Sequence, residues 1–197
     1  HLKQQIQPHF LFNVLNSINA LVITNSDEAQ KMIILLSDYL RLTVRKKEKD
    51  FILISEEIEY LELYLDIEKI RFGDRLEVNK KLSSEIEGLL IPVHILQPLI
   101  ENAIKFGIYG NTGNLIIEVD MDIKDAFITL KICNPYEQNT VSSIKGTGFG
   151  LHGVRQKMSL LYSRSDLVQV TKSDGHYCIF LKFPIIDIND PLVQNRY

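Results

Sequence analysis

Apolar residues recur at helical spacing from the start of the chain, with Leu2, Ile6, Phe10, Val14, Ile18 and Val22 on one drifting seam that Leu11 and Leu15 widen. The pattern predicts an amphipathic helix over 2–22. Asn25-Ser26-Asp27 supplies a break and a helix cap, after which Ala29, Ile33, Leu36, Leu40 and Val44 make a second apolar stripe. Two such helices joined by a short turn form a hairpin. One hairpin alone leaves much apolar surface uncovered, so pairing with a second copy into a four-helix bundle is expected, and with it a homodimer. Ser55 should cap a third helix, with Glu57 and Glu59 in its first turns and Ile58, Leu61, Leu65 and Phe72 on its apolar side; Gly73-Asp74 should stop it.

Beyond that point the period shortens to alternation. Leu76, Val78 and Leu82 read as a strand, followed by a helix over 94–106, strands over 115–121 and 127–133, a loop with Pro135, a helix over 151–162, and strands over 167–171 and 177–183. The fold class is α+β, a helical hairpin followed by helices that cover one face of a mixed, mostly antiparallel sheet. The expected organisation is a hairpin over 1–50, a connecting helix over 51–74, a second domain over 75–186 and a loosely held tail over 187–197.

The 45% hydrophobic and 24% charged residues of the 197-residue chain describe an ordinary globular protein, and they leave this picture as it stands. A net charge of −3 with well-mixed signs gives no electrostatic case for nucleic acid or an anionic membrane. The one basic cluster, Arg45-Lys46-Lys47 with Lys49, falls where a helix should end and complements its dipole. Cys133 and Cys178 lie in apolar, strand-type patterns without ligand spacing, and read as buried thiols of a reducing compartment. The longest apolar run, over 89–100, is too short to cross a bilayer and is interrupted by Pro92, His94, Gln97 and Pro98. The chain starts at His1 and enters a helical pattern at once, the expectation for a portion of a longer protein.

Two distant stretches carry chemistry. In Gln7-Pro8-His9-Phe10-Leu11-Phe12-Asn13 the imidazole of His9 shares a helix face with Gln5, Asn13 and Asn16, while Phe10 and Val14 turn to the apolar seam. Pro8 removes a backbone donor and should free the Gln4 carbonyl just before His9. A neutral imidazole is a competent nucleophile near neutral pH, which makes His9 a candidate phosphoryl acceptor; a half-buried histidine beside a helix kink is the plainer alternative. Asn13, one turn on, either orients the ring or is an exposed helix amide.

In Glu101-Asn102-Ala103-Ile104-Lys105-Phe106-Gly107, Asn102 and Lys105 lie three apart on one helix face. The amide oxygen of Asn102 suits Mg²⁺ and the ammonium of Lys105 suits phosphate. Glu101 either polarises the attacking group, coordinates through water, or is a solvated carboxylate. Gly146-Thr147-Gly148-Phe149-Gly150-Leu151 alternates glycines ahead of a helix, so that backbone N–H groups can meet phosphate. Arg155 and Lys157 follow on that helix, within reach of phosphate or as a solvated basic face.

These stretches resemble LytS-type sensor histidine kinases, together with Leu36-Ser37-Asp38-Tyr39-Leu40-Arg41, Tyr64-Leu65-Asp66-Ile67-Glu68-Lys69-Ile70-Arg71-Phe72 and Leu96-Gln97-Pro98-Leu99-Ile100-Glu101-Asn102. The resemblance covers nearly the whole chain and implies a dimerisation hairpin followed by a Bergerat (GHKL) ATP-binding domain over 75–186. It implies ATP and Mg²⁺, His9 as the phosphorylated residue, and Asn102 and Lys105 as the N-box. Phe106 is then a base-stacking candidate or a core phenylalanine. Where the family has an Asp-x-Gly-x-Gly box, this chain reads Asn134-Pro135-Tyr136. Asn134 takes the adenine-contacting position and the glycines are absent.

The activity implied is ATP-dependent autophosphorylation of His9, then transfer to an aspartate of a response regulator receiver domain. Many histidine kinases place an acid directly after the histidine, where this chain has Phe10, so the group that orients the ring is open. The family commonly carries a membrane sensor upstream. This chain would then be the cytoplasmic portion, tied to the membrane only through a region it lacks. Two other readings stand: a dimeric docking platform with a decayed ATP site, and a GHKL ATPase without histidine transfer.

Overall fold

The computed structural model describes residues 8–45, 50–110, 113–136 and 149–186. The hairpin is α1 (Pro8–Thr24) and α2 (Ser26–Arg45), with Asn25 between them. Its Oδ1 accepts the Glu28 N–H at 3.3 Å, the cap that the Asn-Ser-Asp break predicts. On α1, Phe10 and Val14 are buried, whereas Phe12, Leu15, Val22 and Ile23 are exposed. On α2 Ala29 and Leu36 are buried as expected and Leu40 is half-buried, while Met32, Tyr39 and Thr43 complete the buried stripe. Ile33 and Val44 face outward with Ile34, because α2 has two apolar edges and only one meets α1 and α3.

After β1 (Phe51–Leu53), α3 (Ile54–Phe72) has its N-cap at Leu53, two residues before the expected Ser55. Ser55 is exposed, and the carboxylate of Glu56 accepts the Leu53 N–H at 3.2 Å. Leu61 and Leu65 are buried as expected, but Ile58 and Phe72 are only half-buried, and Glu57, Tyr60, Tyr64 and Glu68 fill the inner face. Gly73 ends the helix with a φ of 56°, a conformation that costs glycine little.

The second half contains β2 (Leu76–Leu82), β3 (Leu90–Pro92), α4 (Leu96–Gly110), β4 (Leu115–Lys124), β5 (Phe127–Pro135), α5 (Phe149–Tyr162), β6 (Val168–Ser173) and β7 (His176–Pro184). Five strands form one sheet in the order β2-β4-β5-β7-β6, with β2 parallel to β4 and the remaining pairs antiparallel. The short β1 and β3 were not expected and pair with each other. Leu115, Ile117, Val119 and Met121 alternate with Ile128, Leu130 and Ile132 and with Ile179, Leu181 and Phe183 on the face that α4 and α5 cover. Helix and sheet come close at Gly107, where an added Cβ would run into the buried Leu115 side chain and force it to shift.

The expectation of two free thiols is overturned. Cys133 and Cys178 are not separate thiols but a disulfide, because the β5–β7 register sets them directly opposite each other. Each strand was legible alone; their pairing across 45 residues was not.

Candidate functional site

His9 lies exposed on the first described turn of α1, where Phe10 turns inward. Asn13 Nδ2 is 3.2 Å from His9 Nδ1. In that orientation Nδ1 accepts and the ring hydrogen sits on Nε2; with the amide turned over, Oδ1 accepts from Nδ1–H and Nε2 keeps its lone pair. Asn13 is thus in contact with the ring, at the position where an orienting group would act. Gln4, Gln5 and Gln7 lie outside the described residues, as do Gly146, Thr147, Gly148, the basic cluster at 46–49 and the tail at 187–197.

Asn102, Lys105 and Phe106 are half-buried on α4, and Lys105 Nζ stands 5.9 Å from the Phe106 ring centre. Glu101 Oε1 accepts from Gln97 Nε2 at 2.5 Å, and the same nitrogen donates to the Tyr39 hydroxyl of α2 at 2.8 Å. Tyr39 packs on Phe10, with ring centres 5.2 Å apart, and Phe10 packs equally close on Tyr64 of α3. A continuous buried cluster therefore runs from the residue after His9 to the residue before Asn102. Burial pushes the Tyr39 and Tyr64 phenols well above their usual range.

α4 is gripped at both ends. The buried Glu57 of α3 accepts the backbone N–H groups of His94 at 3.2 Å, Ile95 at 2.9 Å and Leu96 at 3.2 Å, placing a carboxylate on the positive end of the helix dipole. His94 holds a φ of 55° in this turn, a conformation such bonds help to sustain. At the other end Arg75 Nη2 donates to the Ile108 carbonyl at 3.4 Å. Lys157 of α5 donates to the Val93 carbonyl, and burial lowers its pKa.

At Gly150 a Cβ would stand 3.3 Å from the Pro98 carbonyl, so the start of α5 lies against the first turn of α4. Leu151 is half-buried beside it. Arg155 is exposed and lines, with His152, Ser159 and Arg164, a cleft of about 480 Å³ between α5 and the start of β6. Asn134 continues the inward alternation of Ile128, Leu130 and Ile132 at the end of β5 and is buried. Its Nδ2 donates to the Pro135 carbonyl at 2.8 Å, which leaves the acceptor Oδ1 and the second amide hydrogen to meet a base. Among the described residues no cluster of three His, Cys, Asp or Glu gathers. Asn102 with substrate phosphates and water fits Mg²⁺, which seldom uses an all-protein cage.

Sequence reasoning missed Glu57, Gln97 and Tyr39. Glu57 carried a signal, since it stands at helical spacing with Leu61, Tyr64 and Glu68, an acid on an apolar stripe. Gln97 and Tyr39 carried none, because their meeting depends on how two separate helices pack.

Residues 1–76 match the family model described as Histidine kinase. A curated LytS sensor protein of Staphylococcus epidermidis is 28% identical over 185 residues, covering 88% of this chain and 31% of that protein. The chain is a relative of the LytS-type sensor histidine kinases. A second relative, the sensor histidine kinase BtsS of Escherichia coli, is 42% identical over 106 residues, 54% of this chain and 19% of that protein. The fold matches the histidine kinase domain of a blue-light activated kinase from Erythrobacter litoralis with a TM-score of 0.51, at 12% identity over 99% of this chain and 94% of that one. The chain spans 31% of the LytS sensor protein it matches, and among its described residues no helix is long and apolar enough to cross a membrane.

Proposed function

We propose that this chain is the kinase core of a two-component sensor, transferring the γ-phosphoryl group of ATP to His9 and from there to an aspartate of a response regulator. The observation that carries the reading is the buried cluster joining the helix turn of His9 to Glu101, beside Asn102. Asn102 would hold Mg²⁺, Lys105 and the 146–150 loop the phosphates, and Asn134 Oδ1 the base, with Phe106 at its rim. Bound Mg²⁺ neutralises charge on the phosphates, and the protein's own share is positioning and electrostatics. Asn13 holds the imidazole of His9, and Glu101 meets the proton or the charge that develops as the ring is phosphorylated.

The exposed apolar face of α1 and α2, with Val22, Ile23, Ile33 and Val44, suits a homodimer whose hairpins form a four-helix bundle. The chain would then be the cytoplasmic part of a membrane-anchored sensor. The docking-platform reading draws on Asn134-Pro135-Tyr136, which lacks the Asp and glycines of the adenine box.

Incubation with γ-labelled ATP and Mg²⁺, with and without His9→Gln, separates the readings. Acid-labile, alkali-stable label that disappears in the variant is expected. Nucleotide binding without label would favour the platform, and label or turnover that persists in His9→Gln would favour another GHKL activity.

A further inference from the structure

Gln97 Nε2 spends both of its hydrogens inside the protein, one on Glu101 Oε1 at 2.5 Å and one on the Tyr39 hydroxyl at 2.8 Å. Thr43 Oγ1 donates to the Tyr39 backbone carbonyl at 2.8 Å, so in its 3.0 Å contact with the Tyr60 hydroxyl the donor is Tyr60. Tyr39 and Tyr60 stack with ring centres 4.9 Å apart. Gln97 gives to Glu101 and to Tyr39, Tyr60 gives to Thr43, and Thr43 gives to the backbone of α2.

Tyr39, Tyr60 and Thr43 are each 1% exposed and Gln97 is 8% exposed, so water does not readily replace a broken member. Such a buried network is either fully formed or costly. It joins α2, α3 and α4, and Tyr39 stands at its centre while also packing on Phe10, the neighbour of His9.

We propose that Tyr39 is a positioning residue for the phosphoryl transfer, acting through Gln97 on the Glu101 carboxylate. The inference rests on the kinase reading above and deepens it. A hairpin movement large enough to part Tyr39 from Gln97 releases the amide, and the carboxylate beside Asn102 loses the fixed geometry of that hydrogen bond. Packing of the acceptor hairpin is thereby linked to the geometry of the ATP-binding helix.

The test is the rate of His9 labelling in a single turnover at saturating ATP. Tyr39→Phe keeps the ring and its stacking, and should slow labelling about tenfold with nucleotide affinity unchanged. Gln97→Met, which deletes both donors at similar length, should reproduce the loss. In a Glu101→Gln background Tyr39→Phe should add nothing, since the two act on one pathway. Additive losses overturn the proposal, as does an unchanged rate in Tyr39→Phe or a loss confined to nucleotide affinity. Full-rate labelling of Glu101→Gln alone also overturns it while leaving the kinase reading intact. Label that does not depend on His9 overturns both.

Discussion

The ring of His9 is exposed, so its chemistry depends on neighbours that orient it more than on burial. Asn13 supplies one such contact at 3.2 Å. Asn13→Ala should slow His9 labelling about tenfold, the equivalent of one orienting hydrogen bond, whereas Asn13→Asp, which can only accept while ionised, should retain the rate. A rate in Asn13→Ala equal to the parent would remove Asn13 from the site. Glu57 acts on stability. Three backbone N–H groups converge on its carboxylate, and Glu57→Ala would orphan all of them at a cost of about 3 kcal/mol or more. Denaturant midpoints read at constant slope would show that loss, with Glu57→Gln intermediate because one oxygen remains.

At the scale of elements, α4 is the piece on which the candidate site depends. Its start is fixed by Glu57 and by the Lys157–Val93 contact, its end by Arg75 and by the close approach at Gly107. The β5–β7 ribbon is fixed by register and by the Cys133–Cys178 bond, which closes a loop containing the whole 146–150 segment and α5. For a loop of this length the entropic contribution is about 4 kcal/mol. Reduction, or Cys133→Ser with Cys178→Ser, should therefore lower the melting temperature clearly while leaving the sheet's circular dichroism intact at low temperature. A melting temperature indifferent to reductant would show that the bond is not formed in solution.

Across the whole molecule, burial raises the phenols of Tyr39, Tyr60, Tyr64 and Tyr162 above their ordinary value of 10.0. The folded chain keeps them protonated where the unfolded chain ionises them. That stability is fully present below pH 10.0 and is lost as the pH rises toward the folded values. Each tyrosine should contribute a slope of about 1.4 kcal/mol per pH unit in that window. Phenolate absorbance should consequently rise in two stages, exposed tyrosines first and the buried set only on unfolding. The hairpin's outer face leads to a second expectation at this scale. Ile23→Glu combined with Ile33→Glu should convert a dimer to a monomer in sedimentation without loss of helix, since both side chains are more than half exposed in the single chain. A monomeric parent would overturn the bundle.

The sequence by itself determined the kinds of elements and their order. Periods of 3.6 and 2 follow from backbone geometry, so the hairpin, α3 and the five strands of the main sheet were legible, though not the short β1 and β3, and local stops such as Gly73 fell where expected. Local chemistry was legible too, including the His9–Asn13 pair one helical turn apart and the shared face of Asn102 and Lys105. Only the tertiary structure decided which apolar edge of α2 turned inward, and it chose Met32, Tyr39 and Thr43 over Ile33 and Val44. It also decided that Glu57 belongs to another helix's N-terminus, that Cys133 faces Cys178, and that Tyr39 meets Gln97. Each of these joins residues far apart in the chain through helix packing or strand register, and no local pattern of side chains encodes such a meeting.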